Sequence, residues 1–248
     1  MLTWFQKAAA DPTAQILEKL GCTYSRRRDG TYVVTGNINL CDEGLTELPD
    51  LSRVHVKGHF FCHNNRLTSL KGAPARVDGD FECGNNRLTT LKGAPAFVGG
   101  SFNCNDNELT TLEGAPQTVG GDFSCFKNRL TTLAFAPKKV GDRFVCNDNN
   151  LTTLEGGPAT VGDVFWCQNN PDLDSLEYAP AAKQIVSDFG VFNSRDEVPQ
   201  NLRTAPEKQR QQKAAALQSL AQQATVAQKP VALKPRIRLR QNKPTLPG

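Results

Sequence analysis

Residues 81–101 read FECGNNRLTTLKGAPAFVGGS, and the preceding segment, 60–80, reads FFCHNNRLTSLKGAPARVDGD. The two segments share a Phe, a Cys, an Asn, two Leu, a Pro and a Val at the same offsets. The unit recurs as far as Cys167, and each Cys lies 21 residues after the one before it. A fixed period in this range predicts a solenoid in which each unit forms one coil.

The F-x-C segment of each unit predicts a short β-strand. Alternation with a period of two places Phe and Cys on one face and the residue between them on the other. Stacked coils would bring such strands to about 4.8 Å from one another in a parallel sheet. The Phe and Cys columns are therefore predicted to form the core, and the Cys column comprises Cys62, Cys83, Cys104, Cys125, Cys146 and Cys167.

An Asn follows each of these cysteines by three residues, where the chain turns inward. Its side-chain amide can donate to backbone carbonyls of its own coil and the next, so stacked amides would satisfy otherwise unpaired groups. This predicted ladder comprises Asn65, Asn86, Asn107, Asn128, Asn149 and Asn170. The A-P and V-G steps leave no room for a long helix. The convex side of each coil is therefore predicted to be irregular, polyproline-like or at most a short 3₁₀ turn.

The unit resembles the leucine-rich repeat pattern L-x-x-L-x-L-x-x-N-x-L, with Phe and Cys in two inner apolar positions. Residues 44–51, GLTELPDL, are similar to the short repeats of secreted bacterial effectors, and the later G-A-P units are similar to repeats of bacteriophage and large-virus proteins. The resemblance covers about residues 37–183. It implies a right-handed leucine-rich repeat solenoid of the α/β horseshoe class, mostly short parallel β, with about six to seven coils and a phage or bacterial origin.

The chain outside the repeats predicts two caps and an arm. Asp11-Pro12 is a helix start and Asp29-Gly30 is a hairpin turn, so residues 1–36 are predicted to be an N-terminal α+β cap. Residues 37–183 form the solenoid. Residues 184–198 are predicted to be a C-terminal cap whose apolar side chains cover the last coil, among them Ile185, Val186, Phe189, Val191 and Phe192. Residues 199–248 are predicted to be a basic arm that is helical and then extended.

Charge is distributed unevenly between the arm and the rest of the chain. The arm holds 10 basic residues and 1 acidic residue, a net charge of +9, against 19 basic and 24 acidic residues before it. An arm of this kind is expected to dock on something negative. Arg236, Arg238 and Arg240 would share one face of an extended segment. Contact with nucleic-acid phosphates, addition of a strand to a partner sheet and a solvated tail all remain open.

The residues that point away from the core predict a partner-binding face. Toward the C-terminal coils this concave face gathers aromatic and branched apolar side chains beside an arginine, a composition typical of interaction hot spots. The predicted partner-binding residues are Phe126, Arg143, Val145, Val164 and Trp166. The alternative is that the C-terminal cap or the arm folds back and covers this patch.

The sequence predicts neither a metal nor a cofactor. The Cys column could form disulfides or bind metal, but its side chains would run parallel and no C-x-x-C pair occurs. Buried thiols in a reducing compartment are therefore expected. A metal site at His55, His59 and His63 is conceivable, but the sequence shows no evident carboxylate beside them, so surface histidines are favoured.

These observations favour a non-enzymatic scaffold for protein–protein contact. The sequence contains no Gly-rich phosphate loop and no nucleophile motif, and no run of about 18 apolar residues predicts a membrane span. The expected location is the reducing cytoplasm of a bacterial host. A phage virion or accessory protein anchored by its arm is the more specific hypothesis. The alternatives are a secreted effector that binds a host target and a nucleic-acid-associated protein that acts through the basic tail.

Overall fold

The computed structural model describes residues 11–204, so the N-terminal ten residues and most of the arm lie outside it. The described part is a β-solenoid of about seven coils, each built from short parallel strands. A solenoid with stacked coils was predicted from the 21-residue period, and this prediction is confirmed. Strands dominate the fold, and the one α-helix of residues 11–204 lies near the N-terminus.

Most coils contribute one strand to each of two sheets. In chain order the strands are β1 (Tyr24–Arg26), β2 (Tyr32–Val34), β3 (Ile38–Asn39), β4 (Val54–Val56), β5 (Phe60–Phe61), β6 (Arg76–Val77), β7 (Phe81–Glu82), β8 (Phe97–Val98), β9 (Phe102–Asn103), β10 (Thr118–Val119), β11 (Phe123–Ser124), β12 (Lys139–Val140), β13 (Phe144–Val145), β14 (Thr160–Val161), β15 (Val164–Trp166), β16 (Gln184–Ser187) and β17 (Gly190–Phe192). The nine-stranded sheet has the order β17-β16-β15-β13-β11-β9-β7-β5-β3. The eight-stranded sheet has the order β1-β2-β4-β6-β8-β10-β12-β14.

The core lies between the two sheets and consists of stacked identical residues. Neighbouring Phe rings of the nine-stranded sheet are stacked with centroids 5.1–5.6 Å apart, from Phe60 to Phe165. The six cysteines of the Cys column are fully buried behind them. A buried Val column from the eight-stranded sheet faces them, so each coil supplies the same side chains to a continuous apolar core.

The prediction of an irregular convex side is wrong. Beside the Pro-containing segment, β6, β8, β10, β12 and β14 pair in parallel, with Val140 aligned on Val161 and Val119. The coils approach so closely here that a Cβ built on Gly141 would overlap the carbonyl oxygen of Gly120. Glycine at the V-G step therefore permits backbone pairing on this side as well.

The Asn side chains tie successive coils together. The amide of Asn128 donates to the carbonyls of Cys125 and Phe126 in its own coil, at 3.1 and 3.2 Å, and to that of Cys104 in the preceding coil, at 3.1 Å. Its Oδ1 accepts the backbone N–H of Leu109 at 3.0 Å. The bridge therefore runs to the preceding coil rather than to the next one, because the Asn side chain points back along the stack.

The N-terminal segment forms the expected helix and hairpin. Helix α1 (Pro12–Lys19) starts at Asp11, whose carboxylate accepts the N–H of Thr13 at 3.0 Å. It ends where Gly21 adopts φ +64° and the N–H of Cys22 donates to the carbonyl of Leu17 at 2.9 Å, a Schellman-type end. Strand β2 pairs with β1 on one side and with β4 on the other, so the hairpin extends the eight-stranded sheet. That it acts as a cap stays a prediction.

The C-terminal hairpin covers the last coil with fewer side chains than expected. Strand β16 pairs in parallel with β15, and Ile185 is fully buried. Phe189 and Val191 were also expected to cover the coil, but they are 38% and 58% exposed. Phe189 lies in the turn, and Val191 lies on the edge strand β17 with its side chain directed away from the core. This part of the prediction is wrong.

Candidate functional site

The outer face of the nine-stranded sheet displays one side chain per coil between the buried Phe and Cys. This column consists of Phe61, Glu82, Asn103, Ser124, Val145 and Trp166, which the strand pairing aligns one above another. It is half-buried along its length until Trp166, which is 40% exposed. The period of two therefore produces a row of accessible side chains whose chemistry changes along the stack.

A pocket of about 400 Å³ opens on this face and spans the coils from β7 to β15. Its two ends differ in chemistry. One end is acidic, with Asp80 and Glu82 from the coil of β7, and the other is apolar, with Val145 and Trp166; the middle coil, that of β11, supplies both Asp122 and Phe126. We call this the outer-face pocket. It brings together four of the predicted partner-binding residues and adds three carboxylates to them.

Arg143 lies within the outer-face pocket but is already paired. Its Nη2 is 2.6 Å from Asp122 Oδ2, and its Nε donates to the same carboxylate at 3.2 Å. Burial acts to raise the pKa of Asp122, but the hydrogen bonds from Arg143 outweigh it and the pKa is lowered. The guanidinium therefore holds the Asp122 carboxylate ionised and in place, a pairing that the sequence analysis did not anticipate.

The residues that precede Ile38 and the Phe of the next four coils form a second ladder, which the sequence analysis missed. Each side chain accepts the backbone N–H of the same position one coil later, at 2.7–3.1 Å. The members are Asn37, His59, Asp80, Ser101 and Asp122, and the ladder ends at Arg143, which carries no acceptor. The signal was present in the sequence, because every position before Arg143 holds a side chain that can accept a hydrogen bond.

The two aromatic rings of the outer-face pocket are held differently: a hydrogen bond orients Trp166, and Phe126 lies beside a cation. The indole N–H of Trp166 donates to Gln168 Oε1 at 2.8 Å, which orients the ring while leaving its face accessible. The Lys127 ammonium lies 5.7 Å from the centre of the Phe126 ring. Val164 is half-buried in β15 and does not line the pocket. A partner would therefore meet Trp166 and Phe126 rather than Val164.

The remaining predicted site residues fall in two groups. Arg236, Arg238 and Arg240 lie outside the described residues. The Cys column lies inside the core, and all eight cysteines are free thiols. Burial raises the pKa of these column thiols, that of Cys167 to about 12. The thiolate that a nucleophile needs is therefore disfavoured in this column.

A larger pocket of about 680 Å³ lies between Leu20 and the first coil. Its lining comes mainly from residues 39–49 and contains no aromatic or basic side chain. The outer-face pocket is the stronger candidate for partner recognition, since it combines aromatic rings with ordered charges.

The sequence matches no family model and no curated protein. Across residues 11–204, no helix has the length and apolar character that crossing a bilayer requires.

Proposed function

We propose that this protein is a non-enzymatic scaffold that binds a partner protein through the outer-face pocket. The observation that carries the proposal is the joining of an acidic end and an aromatic end on one rigid sheet face. Clusters of this kind, with Trp and an ordered charge pair, are typical of the few residues that dominate binding energy.

The construction of the sheet supports a rigid recognition surface. The strands beneath the pocket are two or three residues long, but each is held by backbone pairing on both sides and by the stacked Phe rings below. A surface that is ordered before binding loses little conformational entropy when the partner docks. Short strands in a stack can therefore recognise a partner without rearrangement.

The charges of the pocket indicate the chemistry of the partner. Asp80 lies 3.1 Å from His59, and Glu82 lies 3.4 Å from His63. Only Asp122 is neutralised by a permanently charged partner, Arg143. Among the described residues, no arginine or lysine forms an ion pair with Asp80 or Glu82, so these carboxylates can receive a basic side chain of a partner. We expect a partner segment that places a basic side chain near Glu82 and an apolar one on Trp166.

The experiment compares the pocket with a matched aromatic elsewhere. A partner is first captured from native lysate with the full chain, and its affinity for purified variants is then measured by calorimetry. Trp166→Ala is expected to weaken binding at least tenfold, and Glu82→Gln several-fold. The control is Phe97→Ala, since Phe97 is exposed to a similar extent on the eight-stranded sheet beneath the Arg76 guanidinium. If Trp166→Ala and Phe97→Ala lose affinity for the partner to the same extent, the proposal is overturned.

We further propose that the protein acts in a phage particle or beside it, in the cytoplasm of a bacterial host. The resemblance of the G-A-P units to phage repeats supports this proposal, and the eight free thiols suit a reducing compartment. Mass spectrometry of purified particles tests it, and absence from the particles would contradict it.

Two alternatives follow from the arm and the repeat type. The arm carries a net charge of +9, which favours nucleic-acid association, and the short first repeat favours a secreted effector. Repeating the capture with a chain that ends at Val198 separates recognition by the pocket from recognition by the arm. A partner retained equally by the shortened chain favours the outer-face pocket. Salt-sensitive loss of nucleic acid with the shortened chain favours the arm.

A further inference from the structure

Three metal-binding side chains meet at the N-terminal end of the nine-stranded sheet. Cys41 and Asp42 follow β3 in the first coil, and His63 follows β5 in the second. One ligand atom from each residue lies within 4.8 Å of the other two. Cys41 and His63 are half-buried, and Asp42 is exposed. We propose that Cys41, Asp42 and His63 bind a zinc ion that ties the first coil of the solenoid to the second.

The backbone already holds these residues in register. The N–H of Leu40 donates to the carbonyl of Phe61 at 2.8 Å, and that of Asp42 donates to the carbonyl of His63 at 3.3 Å. Between them, the N–H of Cys41 donates to the Asn39 side chain at 3.0 Å. Zinc bonds of about 2.0–2.3 Å would bring the ligand atoms to about 3.5 Å from one another, a change that side-chain rotation can supply.

The His63 ring is oriented by its neighbours. It meets the Phe61 ring edge to face at 6.2 Å, and its buried Nδ1, which has no hydrogen-bond partner among the described residues, lies 3.4 Å from Glu82 Oε2. A carboxylate on one ring nitrogen is the usual support for a metal-binding histidine, because it sets the tautomer that leaves the other nitrogen free. With Nε2 bound to the ion, a small shift of the carboxylate would place Glu82 on the unpartnered Nδ1, which makes Glu82 the positioning residue.

The donor set selects the metal class. One thiolate, one imidazole and one carboxylate suit zinc, whereas magnesium and calcium prefer an all-oxygen shell. Three protein donors leave a fourth position for water. The thiol proton of Cys41 is released when the thiolate binds the ion.

A zinc ion here would add a second link between these coils beside Asn65, whose amide donates to the Leu40 carbonyl and whose Oδ1 accepts the N–H of Leu45, each at 2.8 Å. Glu43, which is exposed, occupies the position that Asn65 holds one coil later. The first coil therefore has no ladder Asn of its own. A metal shared by the two coils would fix the end of the stack, where each coil has only one neighbour.

The test uses the full chain, freed of metal with a chelator and then titrated with Zn²⁺ by calorimetry and with Co²⁺ by absorption. We expect one zinc per chain and a thiolate-to-cobalt charge-transfer band. The repeats themselves offer tolerated substitutions, because later coils carry Asn105 at the His63 position and Asn64 at the Asp42 position. The ligand variants are thus His63→Asn, Asp42→Asn and Cys41→Ser.

Each ligand variant is expected to lower zinc affinity at least tenfold, and Glu82→Gln by about 10–100-fold. The controls are Cys22→Ser, a half-buried thiol outside the cluster, and His59→Asn, a histidine outside it. Zinc should also raise the Tm of the wild type but not that of Cys41→Ser. Without metal, the wild type and Cys41→Ser should have the same Tm. Absence of saturable binding, or unchanged affinity in Cys41→Ser and His63→Asn, would overturn the proposal.

Discussion

Replacing Asn128 with Ala removes one rung of the ladder that joins the coils. Its side chain is 8% exposed and makes four hydrogen bonds to backbone groups of two coils. In the middle of the stack, no solvent can replace these bonds without opening the core. We therefore expect a loss of stability much larger than that of an ordinary surface substitution.

The size of the stability loss depends on which backbone groups keep another hydrogen-bond partner when the Asn128 side chain is removed. The N–H of Leu109 loses its acceptor, and an unpaired buried donor costs about 1–3 kcal/mol. The three carbonyls each retain another donor, namely the Asn107 amide, the Asn149 amide and the N–H of Asp106. Their weakened bonding adds about 1–2 kcal/mol. The free energy of unfolding should therefore fall by about 2–5 kcal/mol.

The measurement is equilibrium unfolding of the full chain in guanidinium chloride, followed by far-ultraviolet circular dichroism. Asn128→Asp is a second variant, since it keeps the acceptor for Leu109 but loses all three donated bonds. Ser124→Ala, on the outer face of the same coil, is the control and should cost less than about 0.5 kcal/mol. If the unfolding free energy of Asn128→Ala is also within about 0.5 kcal/mol of the wild-type value, the ladder does not stabilise the stack.

Three further outcomes are expected. Cys125→Ser should lower the free energy of unfolding by about 1–3 kcal/mol in the same assay, because a buried hydroxyl replaces an apolar thiol; unchanged stability would contradict this. Alkylation followed by mass spectrometry should label half-buried Cys41 in the native protein freed of metal with a chelator, and the Cys column only after unfolding, because burial raises the pKa of those thiols. Asp78→Asn should destabilise at neutral pH and progressively less as pH falls from about 4 toward 2. Burial opposes ionisation of Asp78, but hydrogen bonds from His55, Arg76 and Lys57 lower its pKa to about 2. The stability that the ionised Asp78 contributes is therefore present above the pKa of the unfolded state and is lost in acid. A difference in unfolding free energy between the wild type and Asp78→Asn that does not change with pH would refute this prediction.

The period of the sequence was sufficient to predict the stacked strands. F-x-C alternates over three positions, and the structure places Phe102 and Cys104 inside with Asn103 between them on the outer face. One-dimensional repetition makes such columns predictable, because every coil repeats the packing of its neighbour.

The second sheet was not predictable by the same reasoning. Its strands, such as Lys139–Val140, place only one recurring apolar side chain of each coil in the core, the Val, whereas F-x-C shows two apolar positions that alternate with an outer one. What creates them is the close approach of successive coils at the V-G step, which depends on three-dimensional stacking rather than on local propensity. The Pro beside this segment suggested irregular structure, whereas it lies just before the paired residues.

The candidate sites, too, were predictable from the sequence only in part. Trp166 and Phe126 were identifiable from their column positions, but the pairing of Arg143 with Asp122 depends on a contact across 21 residues. The Cys41 cluster was not identified from the sequence, because its residues belong to two coils and meet only when β3 pairs with β5.

The most direct test of the central claim is the affinity of the captured partner for Trp166→Ala relative to Phe97→Ala, with unfolding free energies measured on the same samples. Recognition by the outer-face pocket predicts at least a tenfold loss for Trp166→Ala, an affinity close to wild type for Phe97→Ala, and little change in the stability of either variant. Wild-type affinity of Trp166→Ala for the partner would contradict the account and assign the ring to the packing of the last coil.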